Sequence, residues 1–404
     1  MDGVDPLKLN MSTTTDTSVR RTRVFTGSAL TRMIIGWGAV VVLALTQHLL
    51  EPPVPAIPLV LVLAGVVAII MVCSFGVVTQ AEKLADRMGD PYGSLVLTIS
   101  IVLIEVILIS AVMLGPGDHT TIGRDSVMAV SMIIMNLVVG VAILVATRKH
   151  GPLAHNRTGT ATYSAMLMIL IALAFVVPGQ LEHGGTYPPV VAVLVALGTL
   201  GTYGYFLYRQ MFQQPEHFDE LDPVGIAAAR GGRAEASDTK PPARRPIAEI
   251  FAAHRREILQ RILVLIITVI PVVILSQHMA ALLDDGLSRT MLPVELAGVL
   301  IAAIVFLPET ITAIRAALAG EMQRVINLCH GALVSTVSFT IPAVLLIGLA
   351  TGQTVVLAET GVNVSLLAVT MLVTVTNFSA PKLTVMHALP HLMTFGVYVL
   401  MLFS

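Results

Sequence analysis

Eleven stretches of mostly apolar residues, at about 33–50, 56–79, 93–115, 126–146, 161–178, 187–208, 258–279, 291–314, 324–350, 355–377 and 383–403, follow one another along the chain. A run of about 20 such residues is long enough to cross a bilayer as a helix. The fold class follows: an all-α integral membrane protein with eleven transmembrane helices. Composition agrees, with 12% charged residues against about 25% in a soluble chain. Cys73 and Cys329 both lie in apolar runs, which excludes a disulfide framework or a four-cysteine zinc site. No Walker motif appears, so ATP-driven transport within this chain is not expected, and neither a cofactor nor a nucleic-acid partner is expected.

Turn-forming clusters separate several of the runs: "EPPVP" at 51–55, "GDPYG" at 89–93, "GPGD" at 115–118, "HGGTYPP" at 183–189 and "TGQ" at 351–353. Residues 1–32 are polar and basic, and the following run lacks a small-residue cleavage site, so 33–55 reads as a retained first helix. Residues 209–257 include "ARGGRAEASDTKPPARRP" and read as a weakly ordered linker. With the N-terminus cytoplasmic and every run crossing, the cytoplasmic segments hold 22 of the 24 Lys and Arg residues, and only Arg124 and Arg289 fall outside. That bias orients the chain with its N-terminus inside and its C-terminus outside a plasma membrane. Without the first helix and the linker, five spans remain at 56–208 and five at 258–404. An odd number puts the two halves into the membrane in opposite senses, a 1+5+5 inverted repeat whose site lies near the midplane where the halves meet.

The second span of each half carries a carboxyl: Glu105 in "IVLIEVILIS" and Glu309 in "VFLPETITAI". An acidic residue at a helix centre costs about 2.5–3.5 kcal/mol on insertion scales. The cost is tolerable where the carboxyl is partnered, protonated or bound to a cation. Hydrogen-bonded glutamates serving only as packing are the bland reading, and matched placement in two halves weighs against it. Oxygen ligands suit Ca²⁺, which takes six to eight of them. A site that accepts either a cation or a proton is already the core of an antiporter. Pro308 removes a backbone donor and frees a carbonyl near Ile304 as a further ligand. The third spans supply Ser131 and Asn136, then Gly331, Ser335, Thr336, Ser338 and Pro342. Small polar residues also serve helix packing, and Asn136 and Ser335 are the candidate additional ligands.

The stretches "AEKLADRMGDPYGSLVLTISIVLIEVILISAVML", "VFLPETITAIRAALAGEMQRVINLCHGALVSTVSFTIPAVLL" and "FSAPKLTVMHALPHLMTFGVYVL" resemble segments of ChaA-type proteins, in the calcium/proton exchanger branch of the calcium/cation antiporter superfamily. The resemblance implies a 1+5+5 architecture and exchange of Ca²⁺, or of Na⁺ and K⁺, for H⁺. It maps the paired acidic ligands onto Glu105 and Glu309, places Asn136 opposite Ser335, and matches His391 to a histidine of the last helix, a candidate for proton coupling. Exchangers of this kind usually carry Gly-Asn ahead of each glutamate, where this chain has "VLIE" and "FLPE".

His387 and His391 share a helix face, but Ala388 stands where a zinc protease needs glutamate. Glu82, Asp86, Asp90 and "EHFDELD" at 216–222 read as solvated surface. The expected activity is secondary antiport of Ca²⁺, with Na⁺ and K⁺ as further candidates, against protons. The alternatives are a passive cation channel with an acidic midplane, a Na⁺(K⁺)/H⁺ antiporter with little Ca²⁺ activity and, more remotely, an intramembrane acid/base enzyme.

Overall fold

In lipid each backbone N–H and C=O must find its partner within the protein, and this chain meets that demand with helices. A computed structural model describes residues 24, 26–50, 53–88, 92–115, 120–218, 247–290, 293 and 295–403. Twelve helical runs carry the fold: α1 Gly27–Thr46, α2 Ala56–Met88, α3 Tyr92–Met113, α4 Ile122–His150, α5 Arg157–Gln180, α6 Pro189–Gln213, α7 Ile247–Ser288, α8 Glu295–Val305, α9 Leu307–Ala319, α10 Met322–Thr351, α11 Gly361–Ser379 and α12 Val385–Met401. Eight of them are long and apolar enough to cross a membrane by themselves, and α8 with α9, which pass the same test together, are bent by 56° at the break between them. Among the described residues there is no strand, only a single antiparallel bridge between Leu153 and Leu383.

Most helices lie where the apolar runs predict them, with shifted ends. The span expected at 258–279 is part of a 42-residue helix starting at Ile247, so residues 247–257 are helical rather than linker. The span expected from 355 begins at Gly361, because the Thr360 side chain accepts from Asn363 N at 3.3 Å and caps it. Residues 1–23 of the basic tail, 219–246 of the linker and Asp90 lie outside the described residues.

Two helices form the centre. The apolar window of α4 is 83% buried and that of α10 is 67% buried, against 17% for α1 and 22% for α2. The largest apolar cluster gathers on them, through Met128, Met135 and Ile143 of α4 and Val334 and Ile341 of α10. The contacts around this centre repeat when the two halves are exchanged. α3 packs on α10 as α8 and α9 pack on α4, α6 packs on α10 as α12 packs on α4, and α2 lies along α7. α1 sits outside, against α2 and α7. Gly36 lets it approach, since a Cβ there would lie 2.9 Å from Cys73 Sγ and 3.1 Å from Pro271 Cβ. Pro271 supplies no N–H to the Ile267 carbonyl, and the Trp37 indole of α1 donates to that carbonyl instead at 3.1 Å.

Candidate cation site

Glu105 and Glu309 face one small cavity of about 20 Å³, lined also by Ser74, Val78, Ile104, Leu108, Val305, Phe306 and Pro308. That volume suits one water or one dehydrated cation. Glu105 projects from α3 and is 3% exposed. Its Oε2 accepts from Thr336 Oγ1 of α10 at 2.5 Å, and its Oε1 has no hydrogen-bond partner among the described residues. Glu309 stands in the first turn of α9, and its Oε2 is likewise buried without a partner. When both are ionised, the two carboxylates repel each other. Leaving a buried polar atom unpaired costs about 1–3 kcal/mol, and more for a charged one. Two such oxygens facing one cavity therefore form a place where a positive charge would be stabilised.

The break that brings Glu309 here has a local cause. Pro308 leaves the Ile304 carbonyl without its usual donor one turn on, and the helix is interrupted at Phe306 between α8 and α9. Val305 and Phe306 form the cavity wall at that point, whereas Ile304 does not line it. The matching segment of α3 runs unbroken from Tyr92 to Met113, so only one half carries the interruption.

Asn136 and Ser335 occupy matching central helices but do not line this cavity. Asn136 lies in a π-helical turn of α4, Ile133–Val138. Its Nδ2 donates to Thr370 Oγ1 at 2.9 Å, and its Oδ1 is buried without a partner among the described residues. Ser335 Oγ turns back onto the Gly331 and Ala332 carbonyls of its own helix, each at 2.8 Å. His391 of α12 is fully buried near Phe378, with ring centroids 6.3 Å apart. His387 serves locally: its Nδ1 accepts from Thr384 N at 2.9 Å at the start of α12. Sequence reasoning ranked Thr336, the partner of Glu105, low and passed over Ser74 of the cavity wall. Hydroxyls are common in membrane helices, and only the packing of α10 on α3 singles out Thr336.

The two ends of the bundle differ in charge. At one end, Lys149 Nζ and His150 Nε2 reach the Leu318 carbonyl at 2.8 and 2.9 Å, and the Leu153–Leu383 bridge brings Lys382 to the same side. At the other end, Arg124 Nη1 donates to the Ala358 carbonyl at 3.0 Å. The Glu359 side chain there is almost fully buried and lies 3.8 Å from Arg124. Burial lifts its carboxyl above the ordinary range, against smaller lowering from the Asn363 hydrogen bond and Arg124.

The chain is similar to known proteins along most of its length. The family model described as "Sodium/calcium exchanger protein" matches residues 57–212 and 261–404. The Sodium-potassium/proton antiporter ChaA of Escherichia coli (strain K12) is 30% identical over 341 residues, covering 83% of this chain and 87% of that one. The putative ionic transporter y4hA of Sinorhizobium fredii (strain NBRC 101917 / NGR234) is 28% identical, covering 90% of this chain and 93% of that one. Among solved structures, native YfkE superposes with a TM-score of 0.66 at 16% identity, over 92% of this chain and 99% of that one. The H⁺/Ca²⁺ exchanger CAX superposes with a TM-score of 0.60 at 14% identity, over 92% and 87%. At those identities the superpositions show the fold alone.

Proposed function

Because the chain belongs to the sodium/calcium exchanger family of cation antiporters, we propose that it exchanges Ca²⁺, with Na⁺ and K⁺ as further substrates, for protons across the plasma membrane. The observation that carries this reading is the pair of buried, unpartnered carboxyl oxygens, from Glu105 and Glu309, at one small cavity. In this account the cation is held between the two carboxylates, and protons replace it when it leaves. Thr336 orients Glu105 through its 2.5 Å hydrogen bond. Asn136 and Ser335 complete the ligand shell once the central helices shift, and His391 takes part in proton traffic. The architecture is 1+5+5, with α2–α6 and α7–α12 as inverted repeats and α8–α9 counted as one span. The repeated contacts of the two halves support it. Alternating access then follows from movement of one half against the other around the shared site.

A second reading keeps the mechanism and changes the cargo. The Escherichia coli relative is described as a sodium-potassium/proton antiporter, and the carboxyls and hydroxyls at the cavity supply fewer side-chain ligands than the six to eight oxygens of a typical Ca²⁺ site. Purified protein in vesicles with an imposed pH gradient decides between the readings. Ca²⁺, Na⁺ and K⁺ are titrated separately against collapse of the gradient. Collapse by Ca²⁺ at the lowest concentration supports the first reading, and collapse by Na⁺ or K⁺ alone supports the second. A flux driven by voltage without any pH gradient would instead identify a passive channel.

A further inference from the structure

Away from the carboxyls, three histidines surround one phenylalanine. His330 of α10, His391 of α12 and His155 in the turn between α4 and α5 have ring centroids 5.1, 6.3 and 5.4 Å from that of Phe378. His330 and His391 are fully buried, and His155 is 3% exposed. His155 Nε2 pairs with the Phe378 carbonyl at 2.9 Å, while its Nδ1 and both nitrogens of His330 and His391 have no hydrogen-bond partner among the described residues. The Ile326 and Met135 backbones interact with the rings of His330 and His391, short of hydrogen-bonding geometry. Packing alone would be served better by apolar side chains, because each unpaired buried nitrogen carries a desolvation cost of about 1–3 kcal/mol.

The cluster's position gives those nitrogens a use. His155 lies two residues from the Leu153–Leu383 bridge, at the lysine- and arginine-rich end of the bundle. On α10, His330 precedes by six residues Thr336, the hydroxyl bonded to Glu105, a rise of about 9 Å along the helix. The Ser335 hydroxyl stands between them in sequence. The titratable and charged groups around the three rings are His387, Arg157, Tyr163 and Cys329. None of these is a carboxyl, and among the described residues no group of three or more His, Cys, Asp or Glu side chains is placed to hold a metal ion. A neutral imidazole takes a proton on one nitrogen and releases the other from its second nitrogen, so a proton passes with only a change of tautomer; His155 does so once its Nε2 leaves the Phe378 carbonyl.

We infer that His155, His391 and His330 form a proton path from the basic end of the molecule to Glu105, separate from the route of the cation. The inference rests on the antiport proposed above. A cation-for-proton exchange uses the path, and a cation-for-cation exchange does not. The test compares the two fluxes in vesicles at equal pH and under a pH gradient, for wild type, His330→Gln, His391→Gln and the double variant. Expected are a fall of at least about 10-fold in proton-coupled exchange, corresponding to about 1.4 kcal/mol, and isotope self-exchange of the cation within about twofold of wild type. The double variant should be no slower than the slower single one, since the residues act in series. Equal loss of both fluxes, or loss of neither, overturns the inference. Wild type carries a second readout, in case a variant does not fold: D₂O should slow the proton-coupled flux and leave self-exchange unchanged, and equal slowing of both overturns it. Wild-type self-exchange without any proton-coupled flux would instead count against the antiport reading itself.

Discussion

At the scale of single residues, the account turns on unpaired oxygens. Glu105→Gln and Glu309→Gln should each abolish cation-dependent proton movement in vesicles while the protein still inserts and folds. Thr336→Val removes the donor to Glu105 and should weaken cation binding about 10-fold, a charge-assisted hydrogen bond being worth about 1.5–3 kcal/mol. Titration of binding under equal pH checks it. Glu359 offers a pH test apart from transport. Its carboxyl is raised chiefly by burial, so its contribution to stability is present in acid and lost as pH rises through the raised value. Glu359→Gln should therefore gain thermal stability over wild type as pH rises above the ordinary carboxylate range, followed by melting in detergent. Glu105 and Glu309 were legible in the sequence because a charge in an apolar run has few explanations. The partnership with Thr336 was not, because it depends on which face of α10 meets α3.

At the scale of elements, prolines act according to what covers the carbonyl they leave open. Pro308 coincides with a 56° bend between α8 and α9. Pro271 lies inside a continuous α7, where Trp37 supplies the missing donor. Sequence reasoning found the carbonyl that Pro308 frees but ran one span through 291–314, and it had no signal for the second outcome, since the donor is 230 residues away. The π-helical turn at Asn136 was equally hidden, because it changes no apolar pattern. Pro308→Ala should straighten α8–α9, raise thermal stability by up to about 3 kcal/mol and slow turnover. A melting curve with an initial-rate assay measures both. Gly140→Leu places a side chain where even a Cβ would meet Leu392 at 2.9 Å and His391 Cβ at 3.2 Å. It should part α12 from α4 and destabilise by about 1–3 kcal/mol.

At the scale of the whole molecule, charge distribution and site chemistry are the claims to test. The sequence predicted that Arg124 and Arg289 would stand apart from the other basic residues. The structure pairs Arg124 with Asp125 and Arg289 with Asp285, and gathers Lys149, His150 and Lys382 at one end. A single cysteine at Lys382 should react only from the cytoplasmic side of intact cells and one at Glu182 only from outside, Cys73 and Cys329 being buried. The all-helical fold was legible at this scale because lipid restricts the backbone to helices, whereas the meeting of two distant carboxyls required the fold. The central claim is that cation and proton occupy those carboxyls in turn. Its most direct measurement is proton release from purified protein in weakly buffered detergent solution when Ca²⁺, Na⁺ or K⁺ binds. The account predicts that binding expels protons and that Glu105→Gln and Glu309→Gln each reduce the release. Saturable cation binding with no protons released at any pH between 6 and 9 would contradict it.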